Sequence, residues 1–215
     1  MASKTLTQKL ESARLLIFNS KDPQVAPLLQ QLGIDDDYIG EGIARYNETM
    51  GLVDSQRKEY QEQNLTYDKF YLEKDDAEAN FSRLLKLVRV LSRKDEDLQN
   101  RLQIQSGPIY GLEAWIDNAI AFYNRLLNEP DFLVTLQRFK VTPESLRSDQ
   151  EAIANLRQLR NEATADKGQA QEATRLRNEK LEELNDYTIE LRAIAEIALA
   201  DRPQLLEKLG ITVRS

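Results

Sequence analysis

Two stretches of this chain contain almost nothing that can stop a helix. Residues 52–106 hold no Gly and no Pro, and residues 144–202 hold only Gly168. Ala, Leu, Glu, Gln, Lys and Arg dominate both, and these side chains lose little freedom on a helical backbone. No run of alternating β-branched residues competes with that reading. With 8 Gly and 6 Pro in 215 residues, the chain lacks the material of a loop-rich β fold. The fold class is all-α.

The breakers cluster instead of scattering. They fall at Asn19–Pro27, Gly33–Gly42, Gly107–Gly111, Asn128–Asp131, Thr142-Pro143, Asp201–Pro203 and Gly210. Leu29, Leu32, Gly33 and Ile34 have the same spacing as Leu206, Leu209, Gly210 and Ile211. Gly at such a place can turn left-handed and end a helix, and the Ile after it can fold back onto the last turn. Leu98 to Ile104 and Leu136 to Val141 are variants, with Gln103 and Lys140 in the glycine position. A left-handed cap costs a non-glycine residue about 1 kcal/mol, which leaves room for a different shape at those two ends. On the starting side, Asp22-Pro23 and Thr142-Pro143 place a capping residue before Pro at the first helical position. Asp35–Asp37 and Asp201 can cap in the same way.

These signals recur at a fixed offset. Ile34 to Val141, Ile104 to Ile211 and Pro23 to Pro130 are each 107 residues apart, and Phe81–Lys86 resembles Tyr187–Arg192 at 106. The offset predicts a tandem duplication, with copies at 1–107 and 108–215 packed together as one elongated bundle. Each copy would hold a helix, a short capped helix, a long helical segment and a second short capped helix.

The long segments carry apolar rows at every seventh residue. The first runs Ile39, Tyr46, Val53, Tyr60, Tyr67, Lys74, Phe81, Val88; the second runs Leu156, Ala163, Ala170, Arg177, Leu184, Leu191, Ala198. The phase does not slip mid-row, so each segment is expected to be one helix of about 50–58 residues, about 75–87 Å long. The rival is a hairpin turning near Asp166–Gly168 and its counterpart Glu59–Gln61. A seven-residue row of this length needs a long partner, either the other copy or a second chain. Gly168 reads equally as a place of close helix approach or as a turn.

Composition removes much chemistry. No Cys and no His means no disulfide, no thiolate or imidazole metal site, and no cysteine or Ser-His-Asp catalysis. The net charge of −7 is spread evenly, with 15 basic and 18 acidic residues in 1–107 against 14 and 18 in the rest. That argues against nucleic acid as a main partner. The apolar run Leu15–Phe18 is too short for a secretion signal, and no stretch approaches a membrane span. The expectation is a cytoplasmic protein without membrane insertion. The glycosylation patterns at Asn47, Asn64 and Asn80 are then coincidental.

No phosphate loop, dinucleotide fingerprint, zinc-protease motif or calcium loop is present. Gly40 and Gly42 lie at a helix start and lack the strand that a nucleotide loop needs. The carboxylates at Asp35–Asp37, Asp75-Asp76, Asp95–Asp97 and Glu182-Glu183 read as solvated faces. Tyr46, Tyr60 and Tyr67 share a row, with Tyr71 a turn beyond Tyr67; they could line a ligand cleft or simply pack in a seam. Lys86, Arg89 and Arg93, with Arg83 and Lys94, form the best basic patch, suited to an acidic partner or to a helix C-terminus. Trp115 shares a helix face with Ala119, Phe122 and Leu126 and reads as a core anchor.

The closing stretch from Arg202 to Ser215 and the segment Lys167–Thr174 resemble a group of bacterial all-helical duplicated proteins with no assigned activity. The resemblance implies a bacterial source and the duplicated architecture, and it transfers no site residues. Gln61 stands where Gly168 stands in the second copy, so the mid-helix glycine is not kept in both. The functional expectation is a non-enzymatic scaffold or protein interaction module without cofactor, self-associating as a homodimer. A sensor bundle with a tyrosine-lined cleft is the alternative, and an enzyme using two carboxylates is a weaker third.

Overall fold

The computed structural model describes residues 5–104 and 109–212, and among these it contains helices and no strand. In order they are α1 (Leu6–Asn19), α2 (Ala26–Gln30), α3 (Asp36–Leu91), α4 (Glu96–Leu102), α5 (Leu112–Leu127), α6 (Pro130–Gln137), α7 (Pro143–Ala198) and α8 (Pro203–Lys208). The long segments are single helices of 56 residues each, with no hairpin turn.

Both long helices start as read from sequence. The Asp35 carboxylate accepts the Tyr38 N–H at 2.9 Å, and the Thr142 hydroxyl accepts the Ser145 N–H at 3.2 Å, with Pro143 opening α7. Two expected caps differ. Asp22 accepts the Gln24 N–H and closes a turn, and α2 begins only at Ala26. Arg202, not Asp201, occupies the N-cap of α8, where no side chain caps. The break expected at Gly107–Gly111 lies partly outside the described residues, as does the junction of the two sequence copies.

All four short-helix ends close the same way. Gly33, Gln103, Lys140 and Gly210 take left-handed φ of 86°, 48°, 63° and 73°. The next residue donates its N–H five positions back each time: Ile34 to Leu29 (3.2 Å), Ile104 to Gln99 (3.4 Å), Val141 to Leu136 (3.2 Å) and Ile211 to Leu206 (3.0 Å). This is the hydrogen bond of a Schellman cap. The room left for a different shape at Gln103 and Lys140 is not used. Ile104 and Val141, which follow them, pack half-buried against the core of the second unit, and this packing works against the roughly 1–2 kcal/mol of left-handed strain.

Element bounds repeat at the sequence offset. Asp36 to Pro143 and Leu91 to Ala198 are 107 apart, as are the left-handed positions 33 to 140 and 103 to 210.

The chain divides into two compact units, residues 1–60 with 169–215, and residues 61–168. These are not the copies 1–107 and 108–215. Each unit takes half of α3 and half of α7. In the first unit the two halves run antiparallel. Tyr38 meets Tyr187, Thr49 meets Lys180 and Gln56 meets Thr174, so numbers rise along one helix as they fall along the other. Its core joins Leu16 and Ile17 of α1, Ile39 and Val53 of α3, Leu184 and Leu191 of α7, and Leu206 of α8. In the second unit Thr66 pairs with Asp166, and the core joins Phe81 and Val88 of α3, Ile116 and Tyr123 of α5, and Leu156 of α7.

The seven-residue rows therefore meet protein inside the chain. Ile39, Val53, Phe81, Val88, Leu156, Ala163, Ala170, Leu184 and Leu191 are all buried. Gly168 fits neither reading given it. It sits inside α7, and a Cβ there would meet open space among the described residues.

Candidate functional site

The four candidate tyrosines are shared between the units. In the first, Tyr46 is half-buried with its ring edge-on to Phe18, centroids 5.5 Å apart, and Tyr60 is 41% exposed with its hydroxyl 3.4 Å from that of Thr174. In the second, Tyr67 stacks on exposed Tyr71 at 6.2 Å. Among the described residues, none of the four borders the cavities found in either unit, and the row between α3 and α7 is buried at Val53, Phe81, Ala163 and Ala170. Val53 is a core residue of the first unit.

The basic patch also disperses. Lys86 and Arg89 lie on the exposed side of α3, Arg89 in its last turn, where a cation suits the helix dipole. Arg93 lies beyond the end of the helix. Arg83 and Arg89 are six residues apart, which on a helix points them in different directions, and they border different pockets.

Arg89 and Trp115, two residues singled out from sequence, do come together. They line a cavity of about 190 Å³ in the second unit. Phe81 and Arg89 are eight apart on one face of α3, while Trp115, Asn118 and Phe122 share one face of α5. Phe81 meets Trp115 at 5.9 Å and 85°, and Phe122 at 5.6 Å and 90°, so the wall is built of edge-to-face rings. Gln103, at the left-handed end of α4, closes one side. At the corresponding place in the first unit, a smaller cavity of about 120 Å³ is bordered by Lys9, Thr188, Arg192 and Gly210.

A second pocket of the same unit, about 230 Å³, holds the charged group that sequence reasoning missed. Asp149 borders it with Arg83 and is half-buried. Burial pushes the Asp149 carboxyl above the usual aspartate range, against the opposing pulls of the Tyr123 hydroxyl and the Arg83 guanidinium. The Tyr123 side chain is fully buried, and its hydroxyl meets no hydrogen-bond geometry among the described residues. Burial also raises this phenol, and the nearby Asp149 charge adds to that. The local signal was present in sequence, since Tyr123 follows Phe122 on the apolar side of α5. Tyrosine, however, is as often placed at an edge as in a core.

Among the described residues, no group of three or more Asp or Glu converges as a metal site would require, and no helix is long and apolar enough to cross a membrane. Large apolar side chains do face outward. On α3, Leu65 is 69% and Leu72 64% exposed; on α7, Ile189 is 59% and Ile197 69% exposed. Leu65 and Leu72 lie seven residues apart, hence on one face, with Asp68, Lys69, Asp75 and Asp76 three or four residues from one or both.

No family model matches the chain, and no curated protein or solved structure matches it.

Proposed function

We propose that this protein is a non-enzymatic helical interaction module that receives a protein partner on the outer face of α3, around Leu65 and Leu72. The exposed leucine pair carries the reading. The rows that build the units are consumed by the chain's own packing, whereas these two leucines sit mid-helix with most of their surface in water. Exposing apolar area costs about 25 cal/mol per Å², and a rimmed apolar patch is a common mark of a binding surface.

Charge selects the partner. Asp68, Asp75 and Asp76 surround the pair against the single Lys69. A second copy would bring the same carboxylates to this face. A basic amphipathic helix would place leucines on leucines and cations on the rim. The 107-residue recurrence of the helix bounds fits a tandem duplication, but the leucine pair has no counterpart at that offset, where Glu172 and Glu179 stand. The second copy therefore carries no equivalent of this face.

The test is a titration of the full chain with a designed amphipathic helix of leucine and lysine, and with the same helix carrying glutamate for lysine. The lysine helix should bind, weaken with salt, and lose roughly tenfold or more of its affinity to Leu65→Ser/Leu72→Ser. Light scattering accompanies it. A dimer that the same double substitution dissociates would assign the face to a second copy instead.

A further inference from the structure

We propose that the pocket of about 230 Å³ where α3 passes the start of α7 in the second unit is a binding site for a free aromatic α-amino acid. The matching place in the first unit shows what the fold can hold there. At the 107-residue offset that relates the helix bounds, Asn80, Ser145 and Asp149 of the pocket correspond to Tyr187, Tyr38 and Gly42. In the first unit the two tyrosine rings stack 5.0 Å apart, and Tyr187 lies against the bare backbone of Gly42. The surroundings repeat: Ile34 and Val141 close the same kind of cap, and Leu191 and Leu84 are both buried. In the second unit an amide and a hydroxyl stand in place of the rings, and the volume is open. Space that one unit fills with its own aromatic side chains is left for a ring from outside. The pocket exceeds the roughly 150 Å³ known to take benzene and falls short of the roughly 300–1,000 Å³ of a drug-sized site. One ring on a short chain fits this interval.

The lining selects the rest of the ligand. Leu84, Leu87, Val141 and Leu146 give an apolar wall, and Phe139 offers a ring for stacking. Arg83 and Asp149 border the same pocket with opposite charges, where the first unit has Glu190 and Gly42. Arg83 acts on Asp149 through space, yet among the described residues no ion pair closes between them and no hydrogen bond engages the guanidinium. Asp149 faces the Tyr123 hydroxyl, but a carboxylate accepts more hydrogen bonds than one phenol supplies. A ligand with a carboxylate and an ammonium on one carbon would bridge the two, its carboxylate on Arg83 through paired hydrogen bonds and its ammonium on Asp149. Burial already holds the Asp149 carboxyl above the usual aspartate range, so a cation brought to it offsets a cost that the folded protein carries.

The full chain is titrated by calorimetry with L-phenylalanine, with 3-phenylpropionate, which lacks the ammonium, and with phenethylamine, which lacks the carboxylate. Phenylalanine should bind saturably, about threefold or more tighter than either analogue. Asp149→Asn should bring phenylalanine and 3-phenylpropionate level, and Arg83→Gln should bring phenylalanine and phenethylamine level. Asn80→Tyr/Asp149→Gly, which copies the filling of the first unit, should remove binding of all three. No saturable binding of phenylalanine, an analogue that binds as tightly, or preferences that survive both single substitutions would each overturn the assignment.

Discussion

Gly42 gives up a side chain to make room for Tyr187. A Cβ on Gly42 would sit 2.5–2.6 Å from the Tyr187 Cε1, Oη and Cζ atoms. The tyrosine hydroxyl donates to the Tyr38 carbonyl at 2.8 Å, four residues before Gly42 on α3, and its ring stacks on Tyr38 at 5.0 Å. Tyr187 is 7% exposed, so it has nowhere to retreat. Gly42→Ala should cost about 1–3 kcal/mol through overpacking. Tyr187→Leu in that background should recover part of the loss, making the two substitutions non-additive in denaturant unfolding.

Gly168 predicts the opposite sign. It lies inside α7, is exposed, and a Cβ there would touch nothing. Gly168→Ala should stabilise the protein by about 0.5–1 kcal/mol, because glycine in a helix carries an entropic cost that alanine does not. Equal losses at Gly42 and Gly168 would contradict this contrast.

The left-handed ends supply a third test. Gln103→Gly and Lys140→Gly remove backbone strain at φ of 48° and 63° but loosen the unfolded chain. The balance should be a gain of up to about 1 kcal/mol at each site. Gly33→Ala introduces the strain the first pair relieves and should lose about 1 kcal/mol. Chemical unfolding of the three variants reads all of these.

Asp149 makes stability depend on pH. Its carboxyl is raised in the folded protein by burial, so its contribution is most favourable when it is protonated. That contribution is fully present below the ordinary aspartate pKa of about 3.9 and is lost as pH rises through the higher folded value. Asp149→Asn should therefore be more stable than the parent at neutral pH, and the difference should vanish as pH falls below the ordinary aspartate range. Melting temperatures across pH decide it; a difference that grows on acidification would reverse the sign argued here.

Val53 and Tyr60 share a seven-residue row but not a fate. Val53 is 8% exposed in the first core, and Tyr60 is 41% exposed. Val53→Glu buries a charge and should destabilise by several kcal/mol, whereas Tyr60→Glu should stay within about 1 kcal/mol of the parent. The seven-residue spacing alone does not distinguish the two.

That difference shows where the sequence is legible. Helix continuity, the starts at Asp35 and Thr142, and the ends at Gly33 and Gly210 depend on neighbours in the chain, and all could be read there. In the first unit the antiparallel register of α3 against α7 joins residues more than a hundred positions apart, and no local pattern encodes it. Hence the sequence shows Gly42 only as part of a helix start, and it carries no sign of the half-buried state of Asp149. The division of the compact units across both copies follows from the same non-local register. Of the candidate site residues, Arg89 and Trp115 came together because each lies on a helix face that its own spacing defines. The tyrosines did not: Tyr46 packs on Phe18, Tyr67 stacks on Tyr71, and Tyr60 and Tyr71 are exposed.

The docking face on α3 is tested most directly by side-chain hydroxyl-radical footprinting of the full chain, with and without the leucine–lysine helix. The account predicts that Leu65 and Leu72 lose reactivity in the complex while Ile189 and Ile197, exposed on α7, keep theirs. Unchanged reactivity at Leu65 and Leu72, or protection at Ile189 and Ile197 in their place, would contradict it.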